Sequence, residues 1–125
     1  MISKIRLVFA FLVFCLLPMA LPIEAQEEEA QLNWTLRNEH EHVIYIRFFS
    51  QDREVEWPGN GLTYPFDDNL NHTQALICKP GENICFGGFN GDRTKSWGIG
   101  EYGQGSCTSC CRYCGGNYPN VDILK

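Results

Sequence analysis

Leu32-Asn33-Trp34-Thr35-Leu36-Arg37, followed after a polar break by Val43-Ile44-Tyr45-Ile46-Arg47-Phe48-Phe49, is the stretch that decides the fold. In the first segment Leu32, Trp34 and Leu36 alternate with Asn33, Thr35 and Arg37, the period-2 pattern of a strand with one buried face. The second is rich in β-branched and aromatic residues, and Asn38 to Glu41 between them is polar, so the pair reads as a hairpin. Apolar residues occupy both faces of the second segment: Ile44, Ile46 and Phe48 on one, Val43, Tyr45 and Phe49 on the other. That is the pattern of a central strand covered on both sides.

Further segments follow at the spacing of an all-β chain. Trp57-Pro58-Gly59-Asn60-Gly61 is a turn, and Pro65 within Leu62 to Phe66 marks a sheet edge. Asp67-Asp68-Asn69 is a second turn. A strand ends at Cys78, another runs from Ile84 to Phe89, a short segment surrounds Trp97 and Ile99, and a terminal strand is expected at Val121 and Ile123. Ten of the twelve glycines lie between Gly81 and Gly116, so the C-terminal half is Gly-rich and irregular. After residue 30 no stretch keeps apolar residues at helical spacing for three turns. The expected fold is all-β, a small antiparallel β-sandwich or barrel of six to seven short strands, stapled by disulfides.

The 125-residue chain supports a single domain. Residues 1–25 carry Lys4 and Arg6, an apolar run from Leu7 to Leu17, Pro18 and a small-residue exit at Ala25, which reads as a signal peptide cleaved after Ala25, with Ala20 the other small candidate. The run is shorter than the ~20 apolar residues needed to cross a bilayer, so no membrane span is expected after cleavage. Residues 26–31 read as an acidic flexible leader and 32–125 as the disulfide-rich domain. Residues 26–125 hold eight basic and fourteen acidic side chains, a net charge of −6, which disfavours nucleic acid and anionic lipid as partners.

Six cysteines remain after Cys15 departs with the leader: Cys78, Cys85, Cys107, Cys110, Cys111 and Cys114. An even count in a short exported domain predicts three disulfides. The Lys79-Pro80-Gly81-Glu82-Asn83 turn suggests a hairpin, with Cys78 bridged to Cys85 at its base. The remaining four pair as Cys107 to Cys110 with Cys111 to Cys114, or as Cys107 to Cys111 with Cys110 to Cys114, unless the cluster reaches back to the hairpin. Two C-x2-C units could instead supply four thiolates to zinc, or one could exchange disulfides, so a metal-binding or thiol-redox protein using Cys107, Cys110, Cys111 and Cys114 is the alternative.

No catalytic constellation is recognisable. His40-Glu41-His42 is the only His pair, His72 is the nearest further His, and a polar loop tip is the plainer reading. The serines lack a nucleophile-elbow setting and no Gly-rich phosphate loop occurs. The aromatics Trp57, Tyr64, Trp97 and Tyr102, with Tyr113 and Tyr118, cluster in turns, where a β-domain presents flat platforms to sugars or peptides; for Trp97 the competing role is to cap a small core. Asn33-Trp34-Thr35 and Asn71-His72-Thr73 match the N-glycosylation pattern. The expectation is a non-catalytic secreted or periplasmic binding domain, without cofactor, for a protein or glycan partner.

At Trp34-x-Leu36-x-Asn38, Phe48-Phe49-Ser50, Trp57-Pro58, Gly81-Glu82-x-Ile84-Cys85-x-Gly87, Trp97-Gly98-x-Gly100 and Cys107-x2-Cys110-Cys111-x2-Cys114, the chain resembles small exported cysteine-rich proteins of bacteria. The likeness spans most of residues 26–125, and that family brings no activity to transfer. The first two strands alone are similar to the opening of thaumatin-like sandwiches, whose cysteine pattern this chain does not share.

Overall fold

The computed structural model describes residues 28–125, so the expected signal peptide, its exit at Ala25, Cys15, Gln26 and Glu27 lie outside the described residues. The described chain is all-β, without helix, and its nine strands are β1 (Ala30–Asn38), β2 (Ile44–Ser50), β3 (Glu56–Trp57), β4 (Tyr64–Phe66), β5 (Asn71–Cys78), β6 (Asn83–Asn90), β7 (Ser96–Gly98), β8 (Cys111–Tyr113) and β9 (Asp122–Leu124). They form a sandwich of two sheets. The three-stranded sheet has the order β5-β1-β9, with β1 and β9 parallel. The six-stranded sheet has the order β3-β2-β6-β7, with β4 also on β2 and β8 also on β6. No barrel closes.

Nine strands replace the expected six to seven because each flank of the larger sheet is broken in two. β3 and β4 share one side of β2, interrupted at Trp57-Pro58 and the glycine-rich turn after it, where Gly59, Asn60 and Gly61 all have positive φ. β7 and β8 share one side of β6.

Both expected hairpins are corrected by the topology. β1 pairs with β5 and β9, whereas β2 pairs with β3, β4 and β6. The polar break between β1 and β2 therefore carries the chain from one layer to the other. Asn38 makes this crossing, 2% exposed, with Nδ2 donating to the carbonyls of His42 and Phe66 and Oδ1 accepting from the His40 amide. Its side chain satisfies backbone groups that the ladder leaves at the layer change. The Lys79–Glu82 turn likewise crosses layers, from β5 to β6, instead of closing a hairpin.

The alternation seen in sequence sets the core. Leu32, Trp34 and Leu36 of β1 face Ile44, Ile46 and Phe48 of β2, and all six are fully buried. Phe66, Leu76, Ile84, Phe86, Ile99 and Leu124 join the cluster, together with Cys78, Cys85, Cys110 and Cys114. Each such aliphatic or aromatic side chain contributes roughly 1.5–3 kcal/mol by leaving water. Trp34 is central, its ring 5.1 Å from Phe48 and edge-on to Phe86 at 5.8 Å. Beside it Arg112 of β8 enters the core, its guanidinium between the rings of Trp34 (4.9 Å) and Tyr118 (5.0 Å). Arg112 donates to Asp122 of β9, which also accepts from the Trp34 indole N–H, so one carboxylate balances a buried charge and joins the layers.

All six cysteines are paired, but not as Cys78 to Cys85. Those two end strands in different sheets, and the bridges run Cys78–Cys114, Cys85–Cys111 and Cys107–Cys110. Only the last was among the expected pairs; the cluster does reach back. Cys78–Cys114 ties β5 of one sheet to the end of β8 in the other, with Cα atoms 6.1 Å apart. Cys85–Cys111 joins register partners on β6 and β8. Three disulfides belong to an oxidising, extracellular type of compartment.

Sequence separations of 36, 26 and 3 residues make the bridges unequal. Loop-closure entropy assigns them about 4, 3.5 and 2 kcal/mol in that order. Replacing Cys107 and Cys110 together by Ser should leave a folded sandwich weakened by about 2 kcal/mol in urea denaturation, and replacing Cys78 and Cys114 should cost about twice that. Equal losses for the two pairs would contradict this ranking.

Candidate ligand-binding face

Because side chains alternate along a strand, the core residues of β2 leave Tyr45, Arg47 and Phe49 on the outer face of the six-stranded sheet. Their register partners on β6 are Phe89, Gly87 and Cys85. Residues 99–105 lie across the middle of this face. A side chain at Gly87 would strike the Gly100 carbonyl, and Gly103, at a positive φ of 69°, rests against the Phe49 ring, so glycine is required at both places.

Arg47 holds this arrangement. Its guanidinium donates to the carbonyls of Leu62 (3.2 Å) and Gly61 (2.8 Å) on one loop and Glu101 (3.0 Å) on the other. The planar fork suits three carbonyl acceptors at fixed angles.

On one side of the 99–105 loop, Tyr45 and Phe89 stack with centroids 5.5 Å apart and planes 27° from parallel. Arg47 and Arg93 lie over the Phe89 ring at 5.8 and 5.2 Å, and Arg93 pairs with Glu101 at 3.0 Å. Two hollows meet at Tyr45 and Gly91. One, about 290 Å³, is lined by His42, Val43, Tyr45, Asn90, Gly91 and Asp92. The other, about 350 Å³, is lined by Tyr45, Arg47, Gly61, Thr63, Phe89, Gly91 and Arg93. Asp92 accepts from the hydroxyl and amide of Thr94, which hold its carboxyl below the usual range. On the other side of the loop, Tyr102 borders a hollow of about 490 Å³ with Phe49, Arg53, Glu54 and Glu56 among its walls.

The aromatics singled out from sequence fare differently. Trp57 and Trp97 fasten the two long edges of the sandwich: the Trp57 indole N–H donates to Ile77 O of β5 at 3.1 Å, and that of Trp97 to Lys125 O beyond β9 at 2.9 Å. Both bonds run from the larger sheet to the smaller one. Tyr64 packs on the core with its ring 5.9 Å from Phe48, and burial pushes its hydroxyl pKa up. Tyr102 alone of the four stands open, 69% exposed. Tyr113 is exposed, while Tyr118 accepts from the Tyr113 amide and covers Arg112. Tyr45 carries a signal in sequence only through the doubly apolar pattern of Val43 to Phe49, Phe89 only as the end of the Ile84 to Phe89 strand, and Arg93 carries none.

His40 and His42 lie side by side, ring centroids 5.6 Å apart, but His72 does not join them. His40 packs edge-on to Trp97 at 5.2 Å, His42 borders the smaller hollow, and His72 bonds Asp68 on the opposite sheet at 2.6 Å. Cys111 and Cys114 are bonded outside the cluster, so residues 107–114 offer no set of four thiolates.

Glu82 is the other buried charge. Its carboxylate receives two bonds from Arg53, at 2.6 and 2.7 Å, one from the Lys79 amide and one from the Ser50 hydroxyl, and its side chain is 2% exposed. The Arg53 bonds lead, and against the opposing effect of burial they lower its pKa from 4.5 to about 2. A depressed acid pKa stabilises the fold above the ordinary carboxylate range, and that contribution is lost as pH falls from 4.5 through about 2. It is worth on the order of 3 kcal/mol at neutral pH. Glu82→Gln should lower stability at pH 7 and flatten its decline between pH 4.5 and 2 in acid titrations followed by circular dichroism. An unchanged pH profile would show that the knot does not govern acid unfolding.

Among the described residues no helix is long and apolar enough to cross a membrane. No protein-family profile, curated protein or solved structure matches the chain.

Proposed function

We propose that this protein is a non-catalytic, exported binding domain that takes a glycan on the outer face of its six-stranded sheet. The leader expected at residues 1–25, cleaved after Ala25, would deliver it to the periplasm or the outside of the cell, consistent with its three disulfides.

The observation that carries the reading is Tyr45, stacked on Phe89, at the point where two hollows meet. A sugar ring has an apolar C–H face and a rim of hydroxyls. Phe89 is only 8% exposed, so Tyr45 supplies the ring on which the C–H face rests, stacked on Phe89, whose ring in turn carries the two guanidiniums. His42 and Asp92 on one rim and Thr63 and Arg93 on the other offer donors and acceptors to the hydroxyls. Among the described residues Asp92 is the one carboxylate lining these two hollows, whereas glycoside hydrolysis by the usual route uses a pair. That supports binding without turnover.

The test is titration calorimetry of the oxidised protein against purified envelope and extracellular glycans. Tyr45→Ala should weaken binding about tenfold, the loss of one good stacking contact. Tyr102→Ala, beyond the 99–105 loop, should leave it unchanged. Equal affinity for Tyr45→Ala, no glycan bound, or measurable cleavage of any of them would each refute the proposal.

A further inference from the structure

We propose that the free edge of β5 is a self-association surface, at which two copies of this chain join their three-stranded sheets through antiparallel β5–β5 pairing. The inference is independent of the glycan-binding face, which lies on the other sheet.

The direction of the backbone identifies the groups involved. Glu39 N–H donates to Leu124 O on the β9 side of β1. Odd-numbered residues of β1 therefore turn their backbone groups toward β9 and even-numbered ones toward β5. In the β1–β5 register, Leu32, Trp34 and Leu36 stand opposite Leu76, Gln74 and His72, so Asn71, Thr73, Ala75 and Ile77 direct their N–H and C=O groups away from the sheet. Two contacts agree: Thr35 and Thr73 hydroxyls meet at 2.6 Å, as side chains of a non-hydrogen-bonded pair do, and Ile77 O accepts from Trp57 outside the ladder. Among the described residues no backbone group of the free edge at Thr73 or Ala75 bonds to another part of the chain.

Edges of this kind are normally blunted by charge, proline, bulges or shortness. The other edges here are. β9 is three residues long, the β3–β4 flank carries Pro58 and Pro65, and the β7–β8 flank is split into two three-residue strands. β5 has none of these: eight residues, Asn-His-Thr-Gln-Ala-Leu-Ile-Cys, without Lys, Arg, Asp, Glu or Pro, in unbroken one-to-one register with β1.

A second copy suits this edge. A two-fold axis at Gln74 sets Thr73 opposite Ala75 of the other copy, two short side chains that let the strands approach, and the free stretch ends before Ile77, whose carbonyl already accepts from Trp57. Asp67 and Asp68 precede the strand and Lys79 follows it, so antiparallel pairing brings the acidic end of each strand to the Lys79 end of the other. The strand itself is neutral within an acidic chain. The axis is perpendicular to the joined sheet, so both glycan-binding faces point the same way.

One strand pair is a small interface, so the dimer should be weak, with a Kd on the order of 10 μM. Sedimentation velocity of the oxidised protein from about 1 μM to 1 mM should show a monomer–dimer equilibrium. Ala75→Pro removes an outward N–H and Ala75→Lys places like charges around the axis; each should raise Kd at least tenfold with an unchanged circular dichroism spectrum. As a variant-free check, hydrogen exchange at the Thr73 and Ala75 amides should slow as wild-type concentration rises through the Kd. A monomer at 1 mM, a larger assembly, a dimer that folded forms of both variants keep, or amide exchange indifferent to concentration would overturn the proposal.

Discussion

Two thin β layers in a chain of this size need something besides apolar contact to stay in register, and the Cys78–Cys114 bridge with the Arg112–Asp122 pair beside Trp34 supplies it. The bridge is the disulfide that spans the layers. Arg112 and Asp122 come from opposite sheets, and Trp34 is fixed between ring contacts and the same carboxylate. With Trp34 held, β1 presents Leu32 and Leu36 to β2 in one register only, since a one-residue slip would turn Asn33 and Thr35 into the core. The indoles of Trp57 and Trp97 then secure the two edges by hydrogen bonds that lock rather than drive the packing.

The all-β class, the location of most strands and the inward residues of β1 were legible because period-2 alternation is a local property. Layering was not. Short polar breaks such as Asn38–Glu41 and Lys79–Glu82 have the chemistry of hairpin turns, yet each moves the chain between sheets, because buried side chains replace the ladder: Asn38 bonds the His42 and Phe66 carbonyls, and Glu82 binds Lys79 and Arg53. His42 and Lys79 are close in sequence, but Phe66 and Arg53 lie 28 and 29 residues away, and no short window of sequence contains them. The disulfide pairing failed for the same reason: Cys78 and Cys85 are near in sequence and belong to different layers.

The candidate face was half legible. Aromatics in turns drew attention to Trp57 and Trp97, but a turn next to a sheet edge is also where an indole can reach across to the other layer, and that use prevailed. Tyr45 and Phe89 sit near the ends of strands with apolar residues on both faces, so alternation could not tell which face would be left open. The loop 99–105, seated over Gly87 and Phe49, covers half of that face and leaves the rest to solvent.

The three carbonyls gathered by Arg47 carry a thermodynamic consequence. Gly61 walls one hollow while Glu101 belongs to the loop that separates it from the hollow of Tyr102, so one guanidinium, with a separate N–H for each carbonyl, holds walls of both. Removing that one side chain would leave three carbonyls without their donors and release both segments together, so the two hollows share a single mechanical support.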